Sequence, residues 1–362
     1  MSPIVSVLMS VYNSERHLRQ SIQSVLDQSF ADFEFVIVED GSEDSSPRIL
    51  SEFARQDARI VLIKNETNRG LAASLNRGLE RAQGKYVARQ DADDISLPNR
   101  LELQSAYLET HPEIGILGSA CTIIDEEGKE LGVYPQPEGD LLIRWTSLWS
   151  NPFIHPSIML RRETLEKHRL RYDETFASAQ DYELWSRLLQ YTQAANLPEP
   201  LIRYRIHRES VTRTRREAQL LYHDQVVLRN IARQLPSARI STEQIRQARR
   251  WIYPDEGGAA RPKEISTQAV HLYLNLLTAF IQQYSGSPDL SYLKNKTCQQ
   301  AADLILTKPL PKGWLGILRR LFTVSPQAAW NSLSRFVCAN YPACRYPLKA
   351  VNKVMRVFFK EV

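Results

Sequence analysis

Three carboxylates fall within four residues at Asp91-Ala92-Asp93-Asp94. Charges so close repel one another, and the cost is tolerated where a cation sits among them or water reaches them freely. Hard divalent cations take oxygen ligands, and Mg2+ is commonly held by one or two carboxylates plus substrate phosphates. An Asp-x-Asp is therefore suited to bridging a metal to a diphosphate; a solvated acidic turn that caps the next helix has the same composition. A second carboxylate, Asp181 in Gln180-Asp181-Tyr182-Glu183-Leu184-Trp185, opens a stretch with helical apolar spacing (Leu184, Trp185, Leu188, Leu189). The helix dipole favours its ionised form there, and it could act as general base toward a hydroxyl nucleophile or simply cap the helix.

Three further segments carry polar groups of use. In Val38-Glu39-Asp40-Gly41-Ser42 the Asp40 carboxylate could accept hydrogen bonds from a base or ribose, or cap the following helix. The segment Ser10-Val11-Tyr12-Asn13 has neither GxGxxG nor P-loop glycines, so a nucleotide there would be held by side chains and strand-end backbone. Tyr204-Arg205-Ile206-His207-Arg208 sets Arg205 and His207 on one side of a strand end. Imidazole ligates Mn2+-type metals and a guanidinium neutralises phosphate.

The elements that must position these groups alternate. Strand patterns at Ile4–Ser10, Phe33–Glu39, Arg59–Ile63 and Lys85–Arg89 are separated by helical patterns at Ser14–Gln28, Ser42–Gln56 and Leu71–Ala82, with Pro47 in a first helical turn. Such alternation predicts parallel βαβ units and an open α/β sheet, whose ligands lie beyond the carboxyl ends of the strands. From residue 115 the pattern is mixed: strands at Gly115–Ile124, Ile154–Leu160 and Leu201–Ile206, a turn at Asp125–Gly128, helices at Asp140–Trp149 and Asp181–Gln190. Beyond residue 212 it is almost wholly helical. The expected organisation is a domain over 1–212 and a helical region over 213–362.

Hydrophobic content of 43% and charged content of 24% are those of an ordinary globular chain. Four cysteines without CxxC pairing suit a reducing compartment. The N-terminus lacks the basic start of a signal peptide and no run of about 18 apolar residues occurs, so a cytoplasmic location without a transmembrane helix is expected.

Taken in order, VSVLMSVYN, FVIVEDGSEDSS, Asn68-Arg69-Gly70 with Asn76, KYVARQDADDISLPNRLELQ, NPFIHPSIMLRR, AQDYELWSRL and YRIHRESVT resemble glycosyltransferase family 2, whose members are inverting enzymes with the GT-A fold. The resemblance covers roughly residues 4–212 and is most specific around DADD. It implies a Rossmann-like, mostly parallel nucleotide-binding sheet flanked by helices, with an α-helical C-terminal extension. It further implies a nucleotide-sugar donor, UDP-linked, and a glycan or lipid-linked acceptor in surface polysaccharide synthesis. By the same resemblance Ser10, Val11, Tyr12, Asp40, Arg69 and Asp91 would bind the donor. Asp93, with His207, would hold Mn2+ or Mg2+, and Asp181 would be the base. Asp94 is expected only to cap the next helix, the one at Leu97. Two positions depart from the family pattern, which often has two Asp at the second loop and an acid before the base: here they read Glu39-Asp40 and Gln180-Asp181, and Gln180 weakens any acceptor contact there.

A sugar-1-phosphate nucleotidyltransferase would share the α/β plan, but SVYNSERH lacks its glycine-rich phosphate loop. A scaffold that has lost activity would not need to keep Asp93 and Asp181. Residues 307–362 carry ten basic residues against one acid, Glu361, so the rest of the chain is net acidic. Lys349, Lys353, Arg356 and Lys360 share one helical face and Leu348, Val351, Met355, Phe358 and Phe359 the other, and Lys312–Phe322 has a similar character. This is the composition of an interfacial helix on an anionic leaflet, and equally of a helix packed on its own domain. On the first reading the protein is peripheral to the inner face of the cytoplasmic membrane. No nucleic-acid motif accompanies the charge.

Overall fold

The computed structural model describes residues 2–206, 216–252, 266–306 and 314–340. The first strands are the apolar runs. Strand β1 is Val5–Val11, β2 Phe33–Glu39, β3 Ile60–Lys64 and β4 Tyr86–Arg89. They pair in parallel in the order β3-β2-β1-β4. Helices α1 (Glu15–Leu26), α2 (Ser46–Gln56) and α3 (Leu71–Arg81) make the crossovers.

Burial on both faces explains why β1, β2 and β4 read as near-continuous hydrophobic runs. Along β1, Val5, Val7, Met9 and Val11 face a layer containing Leu18, Ile22, Val25, Ile49 and Leu50 of α1 and α2. Leu8 faces the opposite layer, with Leu75 and Leu79 of α3. The approach on that side is close: a Cβ on Gly78 would lie 2.2 Å from Leu8 Cδ1.

The second half of the sheet is mixed. Strand β5 (Ile95–Ser96) is followed by α4 (Arg100–Thr110), then β6 (Ile114–Ile124), β7 (Glu130–Tyr134), α5 (Asp140–Thr146), β8 (Met159–Arg161), α6 (Arg162–Lys167), α7 (Gln180–Leu188) and β9 (Gln193–Arg205). Beyond β4 the order continues β8-β6-β9-β5, with β7 paired to β6. Strand β8 is antiparallel to β4 and β6, and β9 runs parallel to β6.

Three readings change. The run Ile154–Leu160 is not one strand but a 3-10 turn at His155–Ser157 and the short β8, because Pro156 has no N–H for a ladder and fixes its own φ. Leu201–Ile206 is only the end of β9, whose first part is masked in sequence by Pro198, Glu199 and Pro200 and by register shifts opposite Ser119–Cys121. The helix expected to begin near Leu97 starts at Arg100, because Ile95 and Ser96 pair with β9 first.

Two compact units divide between Val226 and Val227, within helix α8 (Arg216–Gln234). The second contains α9 (Thr242–Ile252), α10 (Thr267–Gln283), α11 (Leu290–Ile305), α12 (Trp314–Val324) and α13 (Pro326–Asn340). Its core includes Trp251 packed edge-on against Tyr273 at 5.5 Å. Ile317, Leu318 and Leu321 of α12 are buried, so this part of the basic tail spends its apolar face on internal packing. The helix proposed around Lys349, Lys353, Arg356 and Lys360 lies outside the described residues. Among those described, no helix is long and apolar enough to cross a membrane.

Candidate active site

The loops after β1 and β2 satisfy each other's backbone. Asn13 N–H donates to Ser42 Oγ (3.1 Å), Ser14 N–H to Ser46 Oγ (3.0 Å) and Glu15 N–H to Asp44 Oδ2 (3.0 Å). In return Glu43 N–H donates to Asn13 Oδ1 and Ser45 N–H to Glu15 Oε2, each at 2.9 Å. Donors orphaned at the starts of α1 and α2 are thus paired across the two loops, which fixes where Tyr12 and Asp40 stand.

Asp40 does not cap α2. Its buried carboxylate accepts from Asn65 Nδ2 (2.7 Å) and Arg69 N–H (2.9 Å) at Oδ1, and from Gly70 N–H (3.0 Å) at Oδ2. It therefore secures the loop between β3 and α3, and holds Arg69 by its backbone. Gly41, at φ +71°, allows the turn: a Cβ there would lie 2.6 Å from the Thr67 carbonyl carbon.

A cleft of about 640 Å³ opens beyond these strand ends in the first unit and is lined among others by Tyr12, Asp91, Asp93, Asn151, His155 and Asp181. It brings together Tyr12, Asp91, Asp93 and Asp181 of the predicted set. Ser10, Val11, Asp40 and Arg69 are not on its lining. Val11 is fully buried, packs in the core and accepts Asp40 N–H at its carbonyl (2.8 Å). His207 lies outside the described residues.

Asp181 occupies the first turn of α7, which Leu184, Trp185 and Leu188 anchor in the core. Ala179 enters that turn in the left-handed region at φ 57°. Asn151 Nδ2 donates to Asp181 Oδ2 at 2.7 Å. Burial pushes the Asp181 carboxyl above its ordinary value, and the charge of Asp91 adds to the effect, against the hydrogen bonds from Tyr182 N–H and Asn151. The segment before α7 is tied to α3: Asn76 receives Tyr172 N–H (2.9 Å) and donates to Tyr172 O (2.9 Å).

The acidic loop rests on buried polar groups. Arg100, fully buried in α4, donates through Nε to Gln104 Oε1 (3.0 Å), through Nη1 to Gln90 Oε1 (3.1 Å) and Ser96 Oγ (2.9 Å), and through Nη2 to Arg89 O (2.7 Å) and Ile158 O (3.2 Å). Burial, with the like charge of Arg89, lowers Arg100 to about 9. Arg89 forms an ion pair with Asp91. Burial raises the Asp91 carboxyl, Asp93 raises it further, and Arg89 opposes the shift. Two buried arginines beneath three carboxylates give the loop the pairing that buried charge requires.

Asp94 is not a helix cap. It is 1% exposed, and its Oδ1 accepts the N–H of Arg205 at 2.7 Å. The helix it was expected to cap begins six residues later, after Asn99. Burial and the charges of Asp93 and Asp91 push its carboxyl well above the ordinary value. Arg205, 3% exposed, donates to Asp93 O, Asp125 O, Glu126 O and Gln20 Oε1. Its guanidinium donates to these protein oxygens and so supports the loop, and Arg205 also contributes to the cleft lining.

Two lining residues had no role assigned from sequence. One is Asn151. The other is His155, whose Nε2 lies 3.0 Å from Tyr172 Oη and whose ring packs edge-on against Trp185 at 6.0 Å. Burial and then the charge of Arg89 hold this imidazole well below its ordinary pKa, hence neutral. Both sit in Asn151-Pro152-Phe153-Ile154-His155-Pro156. The signal available was polar residues between prolines just before an apolar strand.

Among the described residues no group of three His, Cys, Asp or Glu could hold an ion by itself. Asp91 and Asp93 in the cleft offer hard oxygens; Asp94 Oδ2, buried and without a hydrogen-bond partner, lies off the cleft lining. One or two carboxylates that leave the remaining positions to substrate phosphates are the usual Mg2+ arrangement. The donor set fits a cation that arrives with a diphosphate.

The profile of Glycosyl transferase family 2 matches residues 6–169, which contain the acidic loop, Asn151 and His155. Over 224 residues the chain is 38% identical to an uncharacterized glycosyltransferase of Methanocaldococcus jannaschii, MJ1057, spanning 61% of this chain and 77% of that protein. Over 219 residues it is 35% identical to the amylovoran biosynthesis glycosyltransferase AmsE of Erwinia amylovora, spanning 58% and 79%. Its fold is similar to that of S. aureus TarS residues 1–349 in complex with UDP, with a TM-score of 0.53, 19% identity and 91% of each chain covered. The GT-A plan expected from sequence is thereby met, and the nucleotidyltransferase alternative falls away. With a parallel α/β half, a carboxylate-lined cleft at its strand ends and relatives of this identity, the chain belongs to glycosyltransferase family 2.

Proposed function

We propose that the protein transfers a sugar from a UDP-linked donor to a hydroxyl of a glycan or lipid-linked acceptor, with inversion at the anomeric carbon, during surface polysaccharide assembly. The observation that carries this reading is that Asp181 and the pair Asp91 and Asp93 line one cleft. The complex of TarS with UDP supports the choice of nucleotide and the name of AmsE the kind of product.

Asp93, with His207, would hold a divalent cation, Mn2+ or Mg2+, whose charge neutralises the departing diphosphate. Tyr12 would border the nucleoside, Asp40 would shape that pocket through the loop at Arg69 and Gly70 that it secures, and Asp91, paired with Arg89, would stand beside the ribose. Asp181 takes the proton of the acceptor hydroxyl as its oxygen forms the new bond to C1. The bond from C1 to the phosphate oxygen breaks on the opposite side, and UDP leaves with that electron pair. Asn151 keeps the Asp181 carboxylate aimed, and burial makes it a stronger base than a solvated carboxylate. The test is a panel of nucleotide sugars assayed for nucleotide release, with the product anomer read by NMR. Release from no UDP-sugar would refute the donor assignment, and retained configuration the single displacement.

The basic segment at Lys349–Lys360 would hold the enzyme on an anionic leaflet where a lipid-linked acceptor is presented, on the cytoplasmic side.

A further inference from the structure

We infer that Asp94 and Arg205 form a reciprocal clasp that positions the acidic loop, and that Asp94 acts through this clasp and not as a metal ligand. The inference rests on the metal–diphosphate reading of Asp93 given above.

The geometry is specific. Strand β5 pairs with β9 through Ile95↔Arg203 and Ser96↔Ile202, and Leu97 N–H reaches Leu201 O at 2.9 Å. Two residues beyond Arg203, the N–H of Arg205 goes to a side chain, donating to Asp94 Oδ1 at 2.7 Å. Arg205 answers through Nε, which donates to the carbonyl of Asp93 at 2.9 Å. The two residues therefore grip each other's segment: the side chain of one holds the backbone of the other, and the return bond falls on Asp93 itself. The same guanidinium reaches Asp125 O (3.2 Å) and Glu126 O (2.9 Å) in the turn between β6 and β7, and Gln20 Oε1 (2.9 Å) in α1. Four acceptors on three separate pieces of chain converge on one buried cation.

Asp94 Oδ1 is thus occupied; Oδ2 has no hydrogen-bond partner but is buried in a residue 1% exposed and absent from the cleft lining, whereas Asp91 and Asp93 line the cleft. A ligand to a cation that enters with substrate must face the cleft, and Asp93 does. Asp94 instead fixes the main chain on which Asp93 stands, and ties it to the strand end that leads to His207. Partners that orient ligands in this way typically matter by about 10- to 100-fold in metal affinity when lost.

The proposal is tested by calorimetry of UDP binding in Mn2+ and in EDTA, using Asp94→Asn, Asp94→Ala and Arg205→Lys. Asparagine keeps the Oδ1 acceptor while removing the charge. Asp94→Asn should hold the Mn2+-dependent affinity within about 3-fold of the parent. Asp94→Ala should lose at least about 10-fold of it, with the affinity in EDTA unchanged. Arg205→Lys, which keeps the charge and loses the fork, should behave like Asp94→Ala. If Asp94→Asn lost as much Mn2+-dependent affinity as Asp93→Ala while keeping the parental Tm, Asp94 would be a ligand and the clasp would be refuted. Unchanged affinity in both Asp94→Ala and Arg205→Lys would refute it too, and folding of the alanine variant is not required for the asparagine result to decide. If the parent itself showed no Mn2+-dependent binding, the functional reading would fall and the clasp with it; a failure confined to the variants would overturn the clasp alone.

Discussion

The amide of Asn151 donates to Asp181 Oδ2 at 2.7 Å, so the proposed base is held from outside its own helix. Asn151 belongs to the loop before the 3-10 turn at His155–Ser157, and Asp181 to the first turn of α7. The bond fixes the direction of the carboxylate and favours its charged form. Asn151→Ala should lower kcat by about 10-fold, in line with the 1.5–3 kcal/mol of a hydrogen bond to a charged group, and leave donor KM within about 2-fold. It should also move the acid limb of the pH profile upward, since the lost bond lowers the Asp181 pKa. A loss confined to donor KM would place Asn151 on the nucleotide instead.

Removal of the base itself gives a sharper split. Asp181→Asn should retain UDP affinity and lose at least about 100-fold in turnover, the lower end of what general-base catalysis contributes. Turnover close to the parent would remove Asp181 from the chemistry.

The pH dependence follows from the direction of the shift at Asp181. Burial raises its pKa, and the reaction needs the ionised form. Activity should therefore fall as pH drops through a value above that of an ordinary aspartate, about 3.9. The residual rate of Asp181→Asn should lack that limb. A kcat profile flat down to the ordinary aspartate range would contradict the assignment.

Arg100 carries a stability prediction. Its replacement by Met leaves Gln90 Oε1, Gln104 Oε1 and the carbonyls of Arg89 and Ile158 without this donor, and strips Asp91 and Asp94 of a nearby cation. Breaking a buried charged network costs about 3–5 kcal/mol, which corresponds to a fall in Tm of roughly 6–20 °C for a unit of this size. Thermal unfolding checks it, and a shift under about 2 °C would mean that the network relaxes at little cost.

The parallel half of the fold was legible in the sequence because β1, β2 and β4 are buried on both faces and stand out as apolar runs, as in Val5–Val11 and Phe33–Glu39. The mixed half was less so. In β9 the stretch through Pro198, Glu199 and Pro200 looks like loop, and only its pairing beside β6 makes it strand. For the site, the carboxylates were visible as types, but their partners were not. Nothing local tells that Asp94 meets Arg205 or that Asn151 meets Asp181, since those contacts span 111 and 30 residues. Val11 was open to a closer reading: alternation along Val5, Val7, Met9 and Val11 already turns its side chain into the core.

The tail prediction is confined to residues 341–362, because α12 buries Ile317, Leu318 and Leu321 within the helical unit. Deletion of 341–362 should abolish flotation with liposomes containing anionic lipid while leaving the Tm unchanged. Equal flotation of the shortened chain would refute the role proposed for Lys349, Lys353, Arg356 and Lys360.

The central claim, a cation held at Asp93 together with the donor diphosphate, is tested most directly by titrating UDP into the protein by calorimetry in Mn2+ and again in EDTA. The account predicts binding that weakens by at least about 10-fold when Mn2+ is withdrawn, and an Asp93→Ala variant that binds equally weakly in both. Equal affinity of the parent protein with and without the metal would contradict it.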